Sequence, residues 1–198
     1  MNRLASTAAL ALTAAAGPHL GGCDKSYKPM ATFDVNQYAG TWYEIVRDKY
    51  TPFEIFAGCT IAEYTVNDDD TVTVYNSAHR FGFGWGGGKA TAVVADTGDA
   101  SLIVDFSGKV PSPSDTPNYT VLDTDYETYT VVHSCSEIMG GLASYDFFWI
   151  LARENTLDDS QMLSIIDTVE EKLPNYGFFK NTKHTRQGKT CPYKKRPE

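Results

Sequence analysis

Four cysteines, Cys23, Cys59, Cys135 and Cys191, are the side chains best equipped for covalent chemistry in this chain. As disulfides they permit three pairings. Their spacing is wide, with no CxxC and no nearby histidine set, so no zinc or other metal site is assigned. The histidines His19, His79, His133 and His184 are scattered, and only His133 falls inside a strand-like run. No Ser-His-Asp grouping and no paired-carboxylate motif stands out, so no enzyme activity and no cofactor are expected. The glycine-rich stretch Arg80–Gly88 (RFGFGWGGG) lacks phosphate-loop spacing and a following Lys-Ser/Thr, and reads as a flexible hairpin tip with exposed aromatics. A net charge of −8 leaves no basic stripe to neutralise phosphates, which argues against a nucleic-acid partner. The short basic run Lys194-Lys195-Arg196 reads as a solvated terminus. Hydrophobic residues at 42%, aromatics at 13%, supply ample material for a core.

The elements that must position these residues begin after a leader. Residues 1–16 carry Arg3, a Leu/Ala run and the small-residue context Ala14-Ala15-Ala16, and read as a secretory signal. Residues 17–198 then form a single domain in an oxidising compartment. The leader is too short to span a bilayer in the usual way, and no later run is long and apolar enough, so no transmembrane segment is expected. A competing reading takes Leu20-Gly21-Gly22-Cys23 as a bacterial lipidation box with Cys23 acylated, although Pro18 and His19 interrupt the preceding apolar run.

Residues 33–47 (FDVNQYAGTWYEIVR) open the domain. Gly40 frees the backbone for a tight turn, and the β-branched and aromatic residues after it favour a strand. Alternation there puts Trp42, Glu44 and Val46 on one face and Tyr43 and Ile45 on the other. Strand-like runs follow at Cys59–Val66, Thr71–Ala78, Ala90–Ala95, Ala100–Ser107, Tyr119–Asp123, Tyr129–His133 and Tyr145–Ala152, joined by polar turns such as Asn67-Asp68-Asp69-Asp70. About eight strands of this kind predict an all-β fold, an up-and-down antiparallel barrel. Between 155 and 173 the period changes. Thr156 is the expected N-cap, Met162, Leu163, Ile165, Ile166, Val169 and Leu173 recur at helical spacing, and Pro174 ends one amphipathic α-helix near the C-terminus. A short strand is expected within Gly177–His184.

Three motifs in order across the chain, Gly40-Thr41-Trp42, Thr124-Asp125-Tyr126 and an arginine, Arg153, closing the hydrophobic strand Trp149–Arg153, resemble the signature motifs of the lipocalin family. The segment HLGGC before FDVNQYAGTWYEI, and His133-Ser134-Cys135, are similar to the apolipoprotein D and insect bilin-binding group within it. That resemblance implies an eight-stranded barrel with the helix packed on its outer wall. It also implies disulfides Cys23–Cys135 and Cys59–Cys191, which would use all four sulfurs and remove the acylation reading. Gly40, Trp42, Thr124, Asp125, Tyr126 and Arg153 would be structural, with Arg153 lying across the Trp42 ring at the closed end.

The resemblance further implies a secreted carrier of a small hydrophobic ligand: a fatty acid, sterol, retinoid, carotenoid or bilin. The ligand would enter at the other end, where residues 48–58, 78–88 and 108–118 gather. The group's pocket carries over to Tyr64, Asn76, Phe106 and Trp149, and strand parity adds Val74, Leu102, Val104 and Phe147. Glu44 also points inward, and a carboxylate there needs a partner that the sequence does not name. Trp85 and Gly82, Gly84, Gly86 and Gly87 depart from the group's pattern at the mouth, so the ligand could differ. Asn118-Tyr119-Thr120 is an acceptor sequon for N-glycosylation. Rival readings are an isomerase using a free cysteine in the cavity, a lipid-anchored bacterial-type lipocalin acting in membrane lipid handling, and a subunit of a pigment-binding assembly. A homo-oligomer or a receptor partner stays open.

Overall fold

The computed structural model describes residues 17–23, 27–174 and 176–196; the expected signal, residues 1–16, lies outside the described residues. A four-residue strand, β1 (Gly17–Leu20), and a short helix, α1 (Val35–Tyr38), precede the barrel. Its walls are β2 (Gly40–Asp48), β3 (Ala57–Val66), β4 (Val72–Arg80), β5 (Gly84–Val94), β6 (Ser101–Asp105), β7 (Tyr119–Thr124), β8 (Tyr129–Ile138) and β9 (Ala143–Ala152). Each pairs antiparallel with the next, and β9 pairs back onto β2, so eight strands close on themselves in up-and-down order. Closure removes the free edges that an open sheet would present. Two short additions were not needed for it. The strand β1 lengthens the sheet beside the first half of β9, and β10 (Thr182–His184) lies along the end of β2.

Two side-chain layers result from the period of two. Along β9, Phe148, Ile150 and Ala152 face outward into a buried layer, whereas Trp149 and Leu151 face the barrel interior. The outer layer is covered by α2 (Asp159–Lys172), whose Ile165, Ile166 and Val169, with Leu173 after it, pack on Leu122, Val131, Phe148 and Ile150. The helix begins two residues later than the expected Thr156 cap. Asp158 accepts from the Gln161 N–H while the Gln161 side chain accepts from the Asp158 N–H, a reciprocal cap that Thr156 cannot form. Leu163, counted with the apolar face in the sequence, is exposed. After a short helix, α3 (Phe178–Asn181), the tail runs through β10 to Cys191.

The glycine-rich stretch corrects an expectation. Only its first part is a hairpin tip, with Phe81 and Phe83 strongly exposed; Gly84 to Gly88 are strand, paired residue by residue with β4 from Arg80↔Gly84 to Asn76↔Gly88. Close packing explains a glycine there, because a Cβ on Gly87 would meet the Tyr75 hydroxyl at 2.7 Å and the Asn76 carbonyl at 2.8 Å. Trp85 is not a free mouth aromatic: its indole N–H donates to the Pro192 carbonyl at 3.3 Å, and its ring lies beside His79 and Tyr193.

The cysteines are paired Cys23–Cys135 and Cys59–Cys191, across 112 and 132 residues. Loops of that length give each bond about 5 kcal/mol in the chain-entropy account. With Cys23 so engaged, its sulfur is not available to an acyl group.

One end of the barrel is shut. The Arg153 guanidinium lies 3.7 Å above the Trp42 ring, which is fully buried. It donates from Nε to the Tyr126 carbonyl at 2.9 Å, from Nη1 to Thr41 at 3.1 Å and from Nη2 to Gln37 at 2.8 Å. Gly40, at φ +101°, brings the chain within reach of this fork; a Cβ there would sit 3.3 Å from Arg153 Nη1. Asp125 caps the adjoining turn by accepting from the backbone N–H groups of Glu127, Thr128 and Tyr129, and the Thr124 hydroxyl accepts from the Tyr126 N–H. Arg153→Ala is expected to cost about 2–3 kcal/mol through the lost ring contact and charged hydrogen bonds. The melting temperature should fall by roughly 5–10 °C. Thermal denaturation followed by circular dichroism checks this, and an unchanged melting temperature would show that the pin is ornamental.

Candidate functional site

Inside the barrel the packing thins from the closed end upward. Tyr38, Trp42, Val72, Leu102 and Val121 form a tight floor. Above it lies a cavity of about 280 Å³, and beside it a second chamber of about 450 Å³; Phe53, Glu54, Thr60, Asn76 and Phe106 border both. The second chamber exists because β5 presents almost no side chain to the interior. Gly86, Gly88, Ala90 and Ala92 stand opposite Ala78, Asn76, Val74 and Val72, so they share the inward face. This smooth wall was missed from sequence, where the glycines read as loop. The signal was present as small residues at every second position.

Of the residues singled out as ligand contacts, Tyr64, Val74, Asn76, Val104, Phe106, Phe147 and Trp149 all line the cavity. Leu102 lies deeper, fully buried in the packed floor. Phe106 stands at the rim and is 58% exposed. Asn118, the sequon residue, also borders the hollow; its side-chain amide accepts from the Val104 N–H and donates to the Val104 carbonyl, both at 2.9 Å. It thereby continues the ladder where β6 and β7 part.

The floor carries a chain of phenols. The hydroxyls of Tyr38 and Tyr119 are 2.8 Å apart, and those of Tyr64 and Tyr119 are 2.9 Å apart. Burial pushes the Tyr38 phenol up to about 12 and holds Tyr64 and Tyr119 well above the ordinary tyrosine range. The cluster therefore stays neutral and donates or accepts hydrogen bonds without charge.

The inward carboxylate finds its partner through a break in alternation. The register of β2 on β9 shifts between Glu44 and Val46. Ile45 and Val46 consequently both face the outer core, which corrects the expectation that Val46 shares a face with Trp42. Arg47 is turned inward, opposite Trp149, and its Nη1 donates to Glu44 Oε1 at 2.8 Å. Its Nη2 donates to the carbonyls of Glu54 and Ala57 at 2.8 and 3.0 Å, and its Nε lies 3.5 Å from Glu54 Oε2. The Thr185 hydroxyl donates to Glu44 from the tail strand side. Burial, then the neighbouring Glu44 charge, pushes the Glu54 carboxyl well above the usual carboxylate range against the pull of Arg47. Among the described residues there is no free cysteine and no cluster of metal-ligating side chains.

A family model for the lipocalin-like domain matches residues 33–183. Lazarillo protein of Schistocerca americana is 29% identical over 198 residues, covering 96% of this chain and 86% of its own length. Apolipoprotein D of Bos taurus is 36% identical over 143 residues, 68% of each chain. In structure, insecticyanin from the tobacco hornworm Manduca sexta superposes with a TM-score of 0.71 at 22% identity, covering 88% of this chain and 91% of that one.

The phenol chain makes a direct prediction. In an ultraviolet titration of the folded protein, Tyr38, Tyr64 and Tyr119 should remain protonated at about pH 11, where exposed tyrosines are ionised. Unfolding should release the missing tyrosinate absorbance, and Tyr119→Phe should shrink the deficit by one phenol. Full ionisation in the folded state at that pH would contradict the buried cluster.

Proposed function

The chain belongs to the lipocalin family, and on that premise we propose that it is a carrier, secreted from the cell, that holds a small hydrophobic molecule in the hollow of its barrel. One observation carries the reading: the barrel is shut at the Arg153 end and hollow toward the other, with Val74, Val104, Phe106, Phe147, Trp149 and Leu151 around the space. The outer chamber falls in the usual size range of small-molecule sites and the inner one just below it, and their walls are mostly apolar with a few convergent polar groups. Affinity would come from apolar ligand surface leaving water, at ~25 cal/mol per Å². Tyr64, Asn76, Phe106 and Trp149 are the proposed contacts, with Val74, Val104 and Phe147 completing the cup. Two disulfides support the extracellular assignment, because such bonds persist in oxidising compartments.

Trp149→Ala should raise the dissociation constant of a neutral retinoid, all-trans-retinol, by roughly 10-fold or more, the scale of a buried aromatic contact. Retinol fluorescence enhancement reads the affinity, and far-ultraviolet circular dichroism checks that the barrel persists. Equal affinity in the variant would remove Trp149 from the site. Failure of the wild-type protein to bind any neutral apolar probe would remove the carrier reading itself.

A further inference from the structure

The cavity has a charged wall as well as an apolar one. The two charged residues lining its inner chamber are both glutamates, Glu44 and Glu54. Their side chains are 3% and 13% exposed, and the one cation set between them, Arg47, is 4% exposed. Two carboxyls share one guanidinium, so Glu54 either keeps the proton that its burial favours or carries a negative charge that Arg47 does not fully answer. Arg47 is already committed to Glu44 and to two backbone carbonyls, and its Nε makes no hydrogen bond to Glu54 Oε2. Lys183 of β10 stands opposite Arg47 in register and feels the charge of both glutamates, but makes no ion pair with either among the described residues and lies outside the cavity lining. Arg80 borders only the outer chamber.

Independent of this cluster, two buried polar atoms on cavity-lining residues lack a hydrogen-bond partner. Thr60, 7% exposed, has its hydroxyl oxygen without a hydrogen-bond partner, and so has the Oδ1 of Asn76. Aromatic rings line the same chamber as the carboxylates. Phe53 and Phe147 meet edge to face at 5.2 Å, and Phe147 lies 5.8 Å from Trp149, the residue opposite Arg47. Buried acceptors around a carboxyl that can give up its proton, set among aromatic rings, form an environment that favours a cationic head over an anionic one.

We infer that the hollow is built for an amphipathic cation, an organic amine or quaternary ammonium on an apolar body, with its head at Glu54 and Glu44 and its tail in the aromatic cup. This deepens the carrier reading and rests on it. The protein's net charge of −8 would draw such ligands toward the mouth and disfavour fatty-acid carboxylates. A cation beside Glu54 replaces the proton that burial otherwise holds there, so binding should strengthen as pH rises and Glu54 releases that proton.

Three ligands with twelve-carbon chains separate head from body: dodecyltrimethylammonium, dodecanol and dodecanoate, each titrated calorimetrically as monomer at about pH 8, above the ordinary carboxyl range. The wild-type protein should bind the ammonium at least ~10-fold more tightly than the alcohol, and the carboxylate most weakly. In Glu54→Gln the ammonium-to-alcohol ratio should collapse to about 3 or less. Glu54 lies in a three-residue turn outside the strands, and Arg47 keeps Glu44 and its carbonyl partners in the variant. Glu54→Ala, read the same way, guards against an effect peculiar to the amide. Equal binding of carboxylate and ammonium by the wild type, or a full ammonium preference in both variants, would overturn the inference while leaving a carrier. Binding of none of the three by the wild type would instead overturn the carrier reading.

Discussion

A single guanidinium decides which end of this barrel is closed. Arg153 leaves the end of β9, lies flat on Trp42 at the start of β2, and gathers carbonyls from Gln37, Thr41 and Tyr126. Those groups come from three separate stretches of chain, so one side chain ties the N-terminal approach, the first strand and the β7–β8 turn together. With that end packed, the tyrosine floor can be dry and rigid, and the unfilled space is forced to the other end. The loop carrying Phe53 and Glu54, the β4–β5 hairpin and the β6–β7 loop with Phe106 surround that space.

The hollow survives for a second reason, the uneven size of inward side chains. Tyr64, Trp149 and Phe147 are large, yet the inward β5 residues paired with β4 are glycine and alanine, and Gly86 and Gly88 border the outer chamber. Large and small residues that faced each other at every level would interdigitate and fill the barrel. Here the small residues stack along one strand, and its glycines leave the outer chamber unfilled.

The polar part of the site arises where the regular pattern fails. Without the bulge in β2, Arg47 would face the helix layer and Glu44 would be an isolated buried carboxylate, a costly arrangement. The bulge places both on one face and lets the 3₁₀ turn at Pro52–Glu54 bring a second carboxylate to the same arginine. Bulges often redirect side chains beside binding sites, and this one has that effect.

Much of the architecture was legible in the chain. Period-two runs gave the strands, the period change after 155 gave α2, and the Gly-Thr-Trp, Thr-Asp-Tyr and Arg153 positions marked the closed end, because these features depend on local periodicity and backbone freedom. Tyr64, Asn76 and Trp149 could be put on the inward face by counting residues. Counting stopped working at Glu44–Arg47, since one inserted residue reverses every later parity, and a bulge depends on the partner strand as much as on the sequence around it. It also failed at Gly84–Gly88, where glycine signals a loop locally but serves a strand once β4 supplies the ladder. The sequence by itself determined a barrel, its helix and its closing pin; only the tertiary structure decided that Arg47, Glu44 and Glu54 share one buried wall, because that meeting is made by strand closure and not by neighbours in the chain.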